Sequence, residues 1–233
     1  MASSSSVKEL LSLRVPPIAI GMFSKPPSGV ERYTGEPVPS GCSFWASAQS
    51  GLTFYAQPED HLCAVGSYTH NMAGAEAAPL DLQDTVEFMV ENHYLEEKDV
   101  LTIPTLEASP NVVAYAPVDA QAFEPDVVIL AAEPSRAMLL FEASVRAGAG
   151  DPAATILGRP GCAAVPQTAN TGRSAFSFGC IGNRTYTGLP DTEMYISVPG
   201  KNWDAVADAV EEIVNANAAM EGYHRQTLLA EDS

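Results

Sequence analysis

The chain has 233 residues, of which 46% are hydrophobic and 18% are charged, and its formal charge is −17. Its 12 basic residues stand against 29 acidic ones, which argues against a protein that binds nucleic acid or an anionic membrane surface. The hydrophobic content excludes a disordered chain, and no apolar run approaches the roughly 20 residues needed to cross a membrane. We therefore expect a soluble globular protein.

The beginning of the chain gives no sign of export. It reads Met-Ala followed by the serines 3–6, without the basic segment and the apolar segment that form a secretory signal. The sequence thus predicts a cytoplasmic protein. In that reducing compartment we expect the four cysteines to be ligands, nucleophiles or core residues, and not disulfides.

Apolar periodicity predicts alternating strands and helices along the chain. Strands are expected at 18–23, 53–56, 112–118, 126–132 and 194–198. Helices are expected at 6–14, from Cys42 to Gly51, at 81–95, from Pro134 to Gly148, and at 203–214. This alternation favours an α/β fold, with a mixed α+β arrangement as the alternative, in a single domain over 1–233. Flexible ends are expected at 1–5 and 223–233.

The cysteines fall into two copies of one pattern. Each copy consists of a Gly-Cys pair, a spacer of 20 or 17 residues, and a second cysteine that a glycine follows closely. The repetition predicts an internal duplication with halves at approximately 7–100 and 110–220, each built as strand, cysteine loop, cysteine loop and helix. The residues are Gly41, Cys42, Cys63 and Gly66 in the first copy, and Gly161, Cys162, Cys180 and Gly182 in the second.

Two halves that pack about a pseudo-twofold axis would bring four thiolates to one point. Four thiolates satisfy an iron–sulfur cluster, with 4Fe-4S preferred, or a zinc ion as the alternative. The candidate metal ligands are Cys42, Cys63, Cys162 and Cys180. Because glycine lets the backbone approach a cluster closely, the neighbouring glycines are candidate cofactor-binding residues. These are Gly41, Gly66, Gly161 and Gly182. Neither copy contains a Cys-x-x-Cys pair, so tertiary structure would have to assemble the site.

Charged residues near the two copies indicate further roles. No lysine or arginine lies between Arg32 and Lys98, whereas the second copy contains three arginines. Of these, Arg184 is the candidate for binding an anionic substrate or for offsetting the charge of the cluster, with a plain surface charge as the alternative. His61 and His70, in the first copy, are the candidates for proton transfer.

Together these residues favour an iron–sulfur protein that transfers electrons or carries out a redox reaction. As an enzyme it would be an oxidoreductase, and its partners would be a small anionic molecule and an electron-transfer protein. One alternative is a thiol enzyme with Cys63 as nucleophile and His61 as base. Another is a non-catalytic module that binds a small molecule and whose cysteines belong to the core. The oligomeric state is left open, a homo-oligomer included.

Four segments of the chain resemble signatures of the DUF169 family of bacterial and archaeal proteins. They begin at Gly41, Asp60, Pro125 and Gly179 and read GCSFW, DHLCAVGSYTH, PDVVIL and GCIGNR. The resemblance extends from about residue 7 to 215. It implies that the segments belong to one prokaryotic domain with a cytoplasmic location, and it implies no established activity.

Overall fold

The computed structural model describes residues 4–72, 82–151 and 155–231. The strands within these ranges are β1 Ile18–Phe23, β2 Phe54–Ala56, β3 Val112–Pro117, β4 Val127–Ala132, β5 Thr155–Leu157, β6 Ala175–Ser177 and β7 Met194–Pro199. The helices are α1 Ser4–Leu10, α2 Ser43–Gln49, α3 Ala64–Thr69, α4 Leu82–Glu91, α5 Glu97–Val100, α6 Pro134–Arg146, α7 Ala164–Thr171, α8 Ile181–Thr187 and α9 Trp203–Glu231. This mixed α/β architecture confirms the predicted fold class.

The strands form one sheet in the order β2-β3-β1-β4-β7-β6-β5. Neighbouring strands are antiparallel except for β5 and β6, which are parallel. β1 and β4 lie side by side in the middle, with Ile18 opposite Ile129 and Ile20 opposite Val127. Every residue of β3 and β4 is buried, as expected for strands that are covered on both faces.

The alternation of side chains along β4 divides the core into two parts. Val128 and Leu130 belong to an apolar cluster on one face of the sheet, whereas Val127 and Ile129 belong to a second cluster on the other face. Helices α1, α6 and α9 pack together on the first face. On the second face α2 lies against β1 and β3, and α7 against β4 and β7. We call these the helical face and the cavity face.

The connectivity has a similar order on both sides of the β1–β4 pair. β1, β3 and β2 are successive antiparallel neighbours, and β4, β7 and β6 are so as well. In the set of β1, β3 and β2, strand β3 begins at Val112. It therefore lies beyond residue 100, the predicted end of the first half. The internal duplication itself stays a prediction.

Several elements differ from those predicted. The last helix continues past Gly222 to Glu231, well beyond the predicted end at residue 214. Short elements that the periodicity did not indicate are α3, α5, α7, α8, β5 and β6. Mobility of the two chain ends stays a prediction, and residues 1–3, 232 and 233 lie outside the described ranges. The predicted start of the helix at residue 81 also lies outside them.

Among the described residues, no helix combines the length and the apolar character that crossing a membrane requires.

Candidate functional site

Each of the four cysteines stands at the beginning of a different helix on the cavity face. Cys42 directly precedes α2, and Cys63 is the N-terminal cap of α3. Cys162 lies in the 3₁₀ turn Gly161–Ala163 that leads into α7, and Cys180 caps α8. The two predicted cysteine loops in each half are therefore the starts of helices.

The four helix starts surround one cavity of about 610 Å³. All four cysteines line this cavity, and so do the tyrosines Tyr68, Tyr94 and Tyr186. We call it the cysteine cavity. Thiols far apart along the chain therefore line one cavity, and their predicted role as ligands of one metal centre is taken up below. The size of the cavity lies within the range of about 300–1,000 Å³ that is typical of small-molecule sites.

Glycines allow the segments around the cavity to approach one another. A Cβ atom on Gly66 would lie 3.2 Å from the Cys63 Sγ, which is a tight contact, and 3.6 Å from the Cα atom of Gly41, which is an ordinary one. A side chain on Gly161 would lie only 1.9 Å from Oδ1 of Asn183, which belongs to α8. Packing against α8 therefore requires a glycine at position 161. Gly41, Gly66 and Gly182 line the cavity, and the role of the four glycines in cofactor binding stays a prediction.

Part of the cavity wall is formed by the segment from Leu82 to Ile103, which includes α4 and α5. Its lining side chains are mostly apolar, and none of the residues of α4 or α5 is fully buried. The amphipathic helix predicted at 81–95 thus presents its apolar face partly to a cavity and not to a closed core. The lining residues of this segment are Leu82, Thr85, Val86, Phe88, Met89, Asn92, Tyr94, Leu95, Val100 and Ile103.

Cys42 and Cys162 are buried thiols that stay protonated at neutral pH. Burial raises the pKa of Cys42 to about 11, although hydrogen bonds with Ser40 and Asn183 act in the opposite direction. The Ser40 Oγ lies 2.9 Å from the Cys42 Sγ. Burial also raises the pKa of Cys162 well above its ordinary value, and the Thr69 Oγ1 lies 3.6 Å from its sulfur.

Cys63 and Cys180 are more exposed, and both use their sulfur as a helix cap. The backbone N–H of Gly66 donates to the Cys63 Sγ over 3.1 Å. The Cys180 Sγ accepts a hydrogen bond from the backbone of Asn183, while the Asn183 Oδ1 accepts one from the Cys180 N–H at 3.0 Å. The cavity therefore has two buried thiols and two thiols that solvent or a ligand can reach.

The predicted iron–sulfur function is wrong. Among residues 4–72, 82–151 and 155–231, no group of three or more histidine, cysteine, aspartate or glutamate side chains is placed to hold a metal ion. The physical reason is that the cysteines are distributed around the cavity wall at four separate helix starts. Cys63 and Cys180 direct their sulfurs to the amides of their own helices. Zinc, the alternative cofactor, stays a prediction.

The two candidate histidines lie behind the cysteine wall. His61 is buried, with its ring 4.8 Å from that of Phe44, and its two ring nitrogens find no hydrogen-bond partner in the described part of the chain. Burial lowers the pKa of His61 to about 3. His70, also buried, has its Nδ1 3.0 Å from the Gly66 carbonyl oxygen, and burial lowers its pKa to about 4. Neither histidine is among the described residues that line the cavity, and His61 makes no hydrogen bond to Cys63.

A buried tyrosine, Tyr115, belongs with the two histidines to the layer of residues behind the cysteines. The hydroxyl of Tyr115 has no hydrogen-bond partner among the described residues. Burial raises its pKa, and negative charge on Cys162 or Cys42 would raise it further. Tyr115, His61 and His70 are therefore all uncharged at neutral pH, and the cysteine cavity has a neutral layer behind it.

The arginines are placed differently from the sequence-based choice. Arg184 donates to the backbone carbonyls of Phe178 and Pro190 and lies 3.5 Å from the Asp191 carboxylate, so it holds a loop together. Arg159 instead lines the cysteine cavity, with its guanidinium 4.3 Å from the ring centre of Tyr94. Arg159 is one of the three arginines that the sequence places in the second copy, but the sequence-based choice was Arg184. The position of Arg159 directly before Pro160-Gly161-Cys162 is the signal that could have favoured it.

Comparisons with known proteins show the family to which the chain belongs. The DUF169 family, described as uncharacterised ArCR, matches residues 6–209, and the chain therefore belongs to that family. An uncharacterized protein of Methanocaldococcus jannaschii, MJ0308, is 28% identical over 162 residues, which cover 67% of this chain and 69% of that protein. No solved structure matches the chain significantly. The resemblance to DUF169 is thus confirmed.

Proposed function

We propose that the protein binds a small, largely apolar molecule in the cysteine cavity. The observation that carries the proposal is the cavity itself, at about 610 Å³, with apolar side chains from α4, α5 and their connections along one wall. A volume of this size accommodates a compact aromatic or aliphatic molecule. The cavity lies on the face of the sheet that the long helices α6 and α9 leave uncovered.

The neutral state of the surrounding groups supports an apolar ligand. A protonated thiol behaves as a small hydrophobic group, so the raised pKa values of Cys42 and Cys162 make their part of the wall compatible with apolar atoms. His61 and His70, held neutral by burial, add no charge behind that wall. A ligand that fills the cavity would remove apolar surface from water, at roughly 25 cal/mol for each Å².

A neutral fluorescent dye, N-phenylnaphthylamine, is a suitable first probe of the cavity. We expect it to bind the protein and Met89→Trp to weaken that binding at least about tenfold, because Met89 lines the cavity and the larger ring fills it. Met138→Trp is the matched control, since Met138 lies half exposed on α6, on the opposite face of the sheet. Circular dichroism shows whether both variants are folded. Equal dye affinity in the two folded variants would contradict the proposal.

We also infer that the protein works in the cytoplasm. All four cysteines are free, although they line one cavity. Unpaired thiols in such numbers are typical of a reducing compartment, which supports this location.

A further inference from the structure

The charged residues around the cysteine cavity are distributed unlike those of the whole chain. Acidic residues outnumber basic ones by 29 to 12 in the sequence. Yet the described residues that line the cavity include no aspartate, glutamate, lysine or histidine, and Arg159 is the one charged residue among them. A single positive charge therefore faces an otherwise neutral cavity in a strongly acidic protein.

Arg159 also differs from most other arginines in its partners. Arg14, Arg32, Arg146, Arg173, Arg184 and Arg225 each lie within 4 Å of a carboxylate. No salt bridge of Arg159 occurs in the described ranges; its guanidinium lies over the ring of Tyr94 instead. The Arg159 side chain also forms a hydrogen bond with the Tyr94 side chain, so an anion would be bound by the remaining N–H groups of the guanidinium.

From this placement we propose that the ligand of the cysteine cavity is an apolar molecule with one anionic group, and that Arg159 binds this group. The inference rests on the proposed binding function and adds the chemical class of the ligand to it. A planar guanidinium forms two parallel hydrogen bonds with a carboxylate, sulfonate or phosphate. The apolar wall from α4 and α5 contacts the rest of the molecule, while the exposed Arg159 holds the charged end at the mouth of the cavity.

The net charge of the protein makes the inference testable. A chain with a formal charge of −17 repels anions in general, so a preference for an anionic ligand requires a local positive group. Two dyes with the same aromatic body isolate this effect: N-phenylnaphthylamine is neutral, and anilinonaphthalenesulfonate carries one added sulfonate. The ratio of their affinities measures the contribution of the anionic group and cancels effects on the apolar contacts.

We expect the native protein at low salt to bind the sulfonate at least about tenfold more tightly than the neutral dye, which corresponds to about 1.4 kcal/mol. Arg159→Gln should lower this affinity ratio about tenfold, and Arg159→Lys, which keeps the charge but loses the planar pair of N–H donors, should retain only part of it. Arg225→Gln is the control for net charge, because Arg225 lies exposed near the end of α9 and pairs with Glu221. Its ratio should stay within about twofold of the native value.

The outcomes separate the inference from the function on which it rests. Suppose that Met89→Trp weakens binding of the neutral dye, but Arg159→Gln leaves the affinity ratio of the two dyes unchanged. This result would overturn the role of Arg159 and leave the proposed binding function intact. A ratio that falls equally in Arg159→Gln and Arg225→Gln would show a general charge effect and would also overturn it. If neither dye binds the native protein, the proposed function fails and this inference fails with it.

Discussion

The two faces of the sheet are built from the same strands but have different interiors. On the helical face, the side chains of β4 and β7 pack against α6 and α9 in a cluster whose buried members are aliphatic or aromatic. On the cavity face, alternate residues of the same strands meet aromatic rings, two cysteines and the cysteine cavity. Since the strands are common to both, the difference arises from the segments that cover each face.

The comparison teaches which part of the molecule stabilises the fold and which part is available for binding. The helical face includes the 13-residue helix α6 and the 29-residue helix α9, with Leu140 and Val210 fully buried. The cavity face is covered by helices of four to ten residues, several of which begin at a cysteine. Short helices depend on tertiary contacts, so they leave space for a ligand more readily than a packed pair of long helices.

The largest expected effect comes from a truncation on the helical face. Leu140→Ala should reduce the free energy of unfolding by about 3 kcal/mol, because it removes a fully buried side chain from a closed core. Urea denaturation measures this loss. Leu95→Ala is the matched change on the cavity side, where the side chain is half buried, and it should cost less stability.

Dye binding should show the opposite order for these two variants. Leu95→Ala should weaken the affinity for N-phenylnaphthylamine, whereas Leu140→Ala should leave the affinity of the folded protein unchanged. If Leu95→Ala costs as much stability as Leu140→Ala and does not affect dye binding, the distinction between the two faces is wrong.

The next effect concerns the reactivity of the four thiols. In the folded protein at neutral pH, iodoacetamide should alkylate Cys63 and Cys180 at least about tenfold faster than Cys42 and Cys162. The thiolate is the reacting form, and burial raises the pKa of Cys42 to about 11 and that of Cys162 well above its ordinary value. Mass spectrometry of peptides gives the four rates. In urea the rates should become similar, and a fast reaction of Cys162 in the folded protein would refute the assignment.

A smaller effect is expected from the buried histidines. Burial lowers the pKa of His61 to about 3, so the stability that its neutral form contributes is present above pH 6.5 and is lost as the pH falls toward 3. Between pH 7 and pH 5 this loss amounts to roughly 2 kcal/mol. His61→Leu should therefore show a flatter dependence of the unfolding free energy on pH than the native protein.

His224→Leu is the control for the histidine experiment. His224 is exposed on α9, and its removal should leave the acid sensitivity of the protein unchanged. The contribution of His70, whose pKa burial lowers to about 4, remains in both variants. Identical pH dependence in His61→Leu and the native protein would show that His61 does not resist protonation in the fold.

The parts of the fold that the sequence predicts are those with a long, regular apolar pattern. β1, β3, β4 and β7 each contain six residues, nearly all of them buried, and α6 has a clear amphipathic period. α3 and α8 contain only six and seven residues, each with an internal glycine, so their propensity is weak. Tertiary contacts around the cavity determine these helices, and periodicity cannot reveal them.

The candidate site shows the same limit. The repeated Gly-Cys pattern draws attention to four cysteines that line one cavity in the structure. It does not give the separation of their sulfurs, which depends on the positions of four helix starts, and the cluster prediction fails for this reason. Arg184 binds the backbone carbonyls of Phe178 and Pro190, each six residues away along the chain, whereas Arg159 lines the cavity. The predicted role of Arg184 stays a prediction.

The central claim is that an apolar molecule occupies the cysteine cavity, and thiol protection tests it most directly. Saturating N-phenylnaphthylamine should slow the alkylation of Cys63 and Cys180 at least about tenfold, because both thiols line the cavity that the dye would fill. Bound dye that leaves the reaction rates of both cysteines unchanged would show that the dye lies elsewhere, and would contradict the claim.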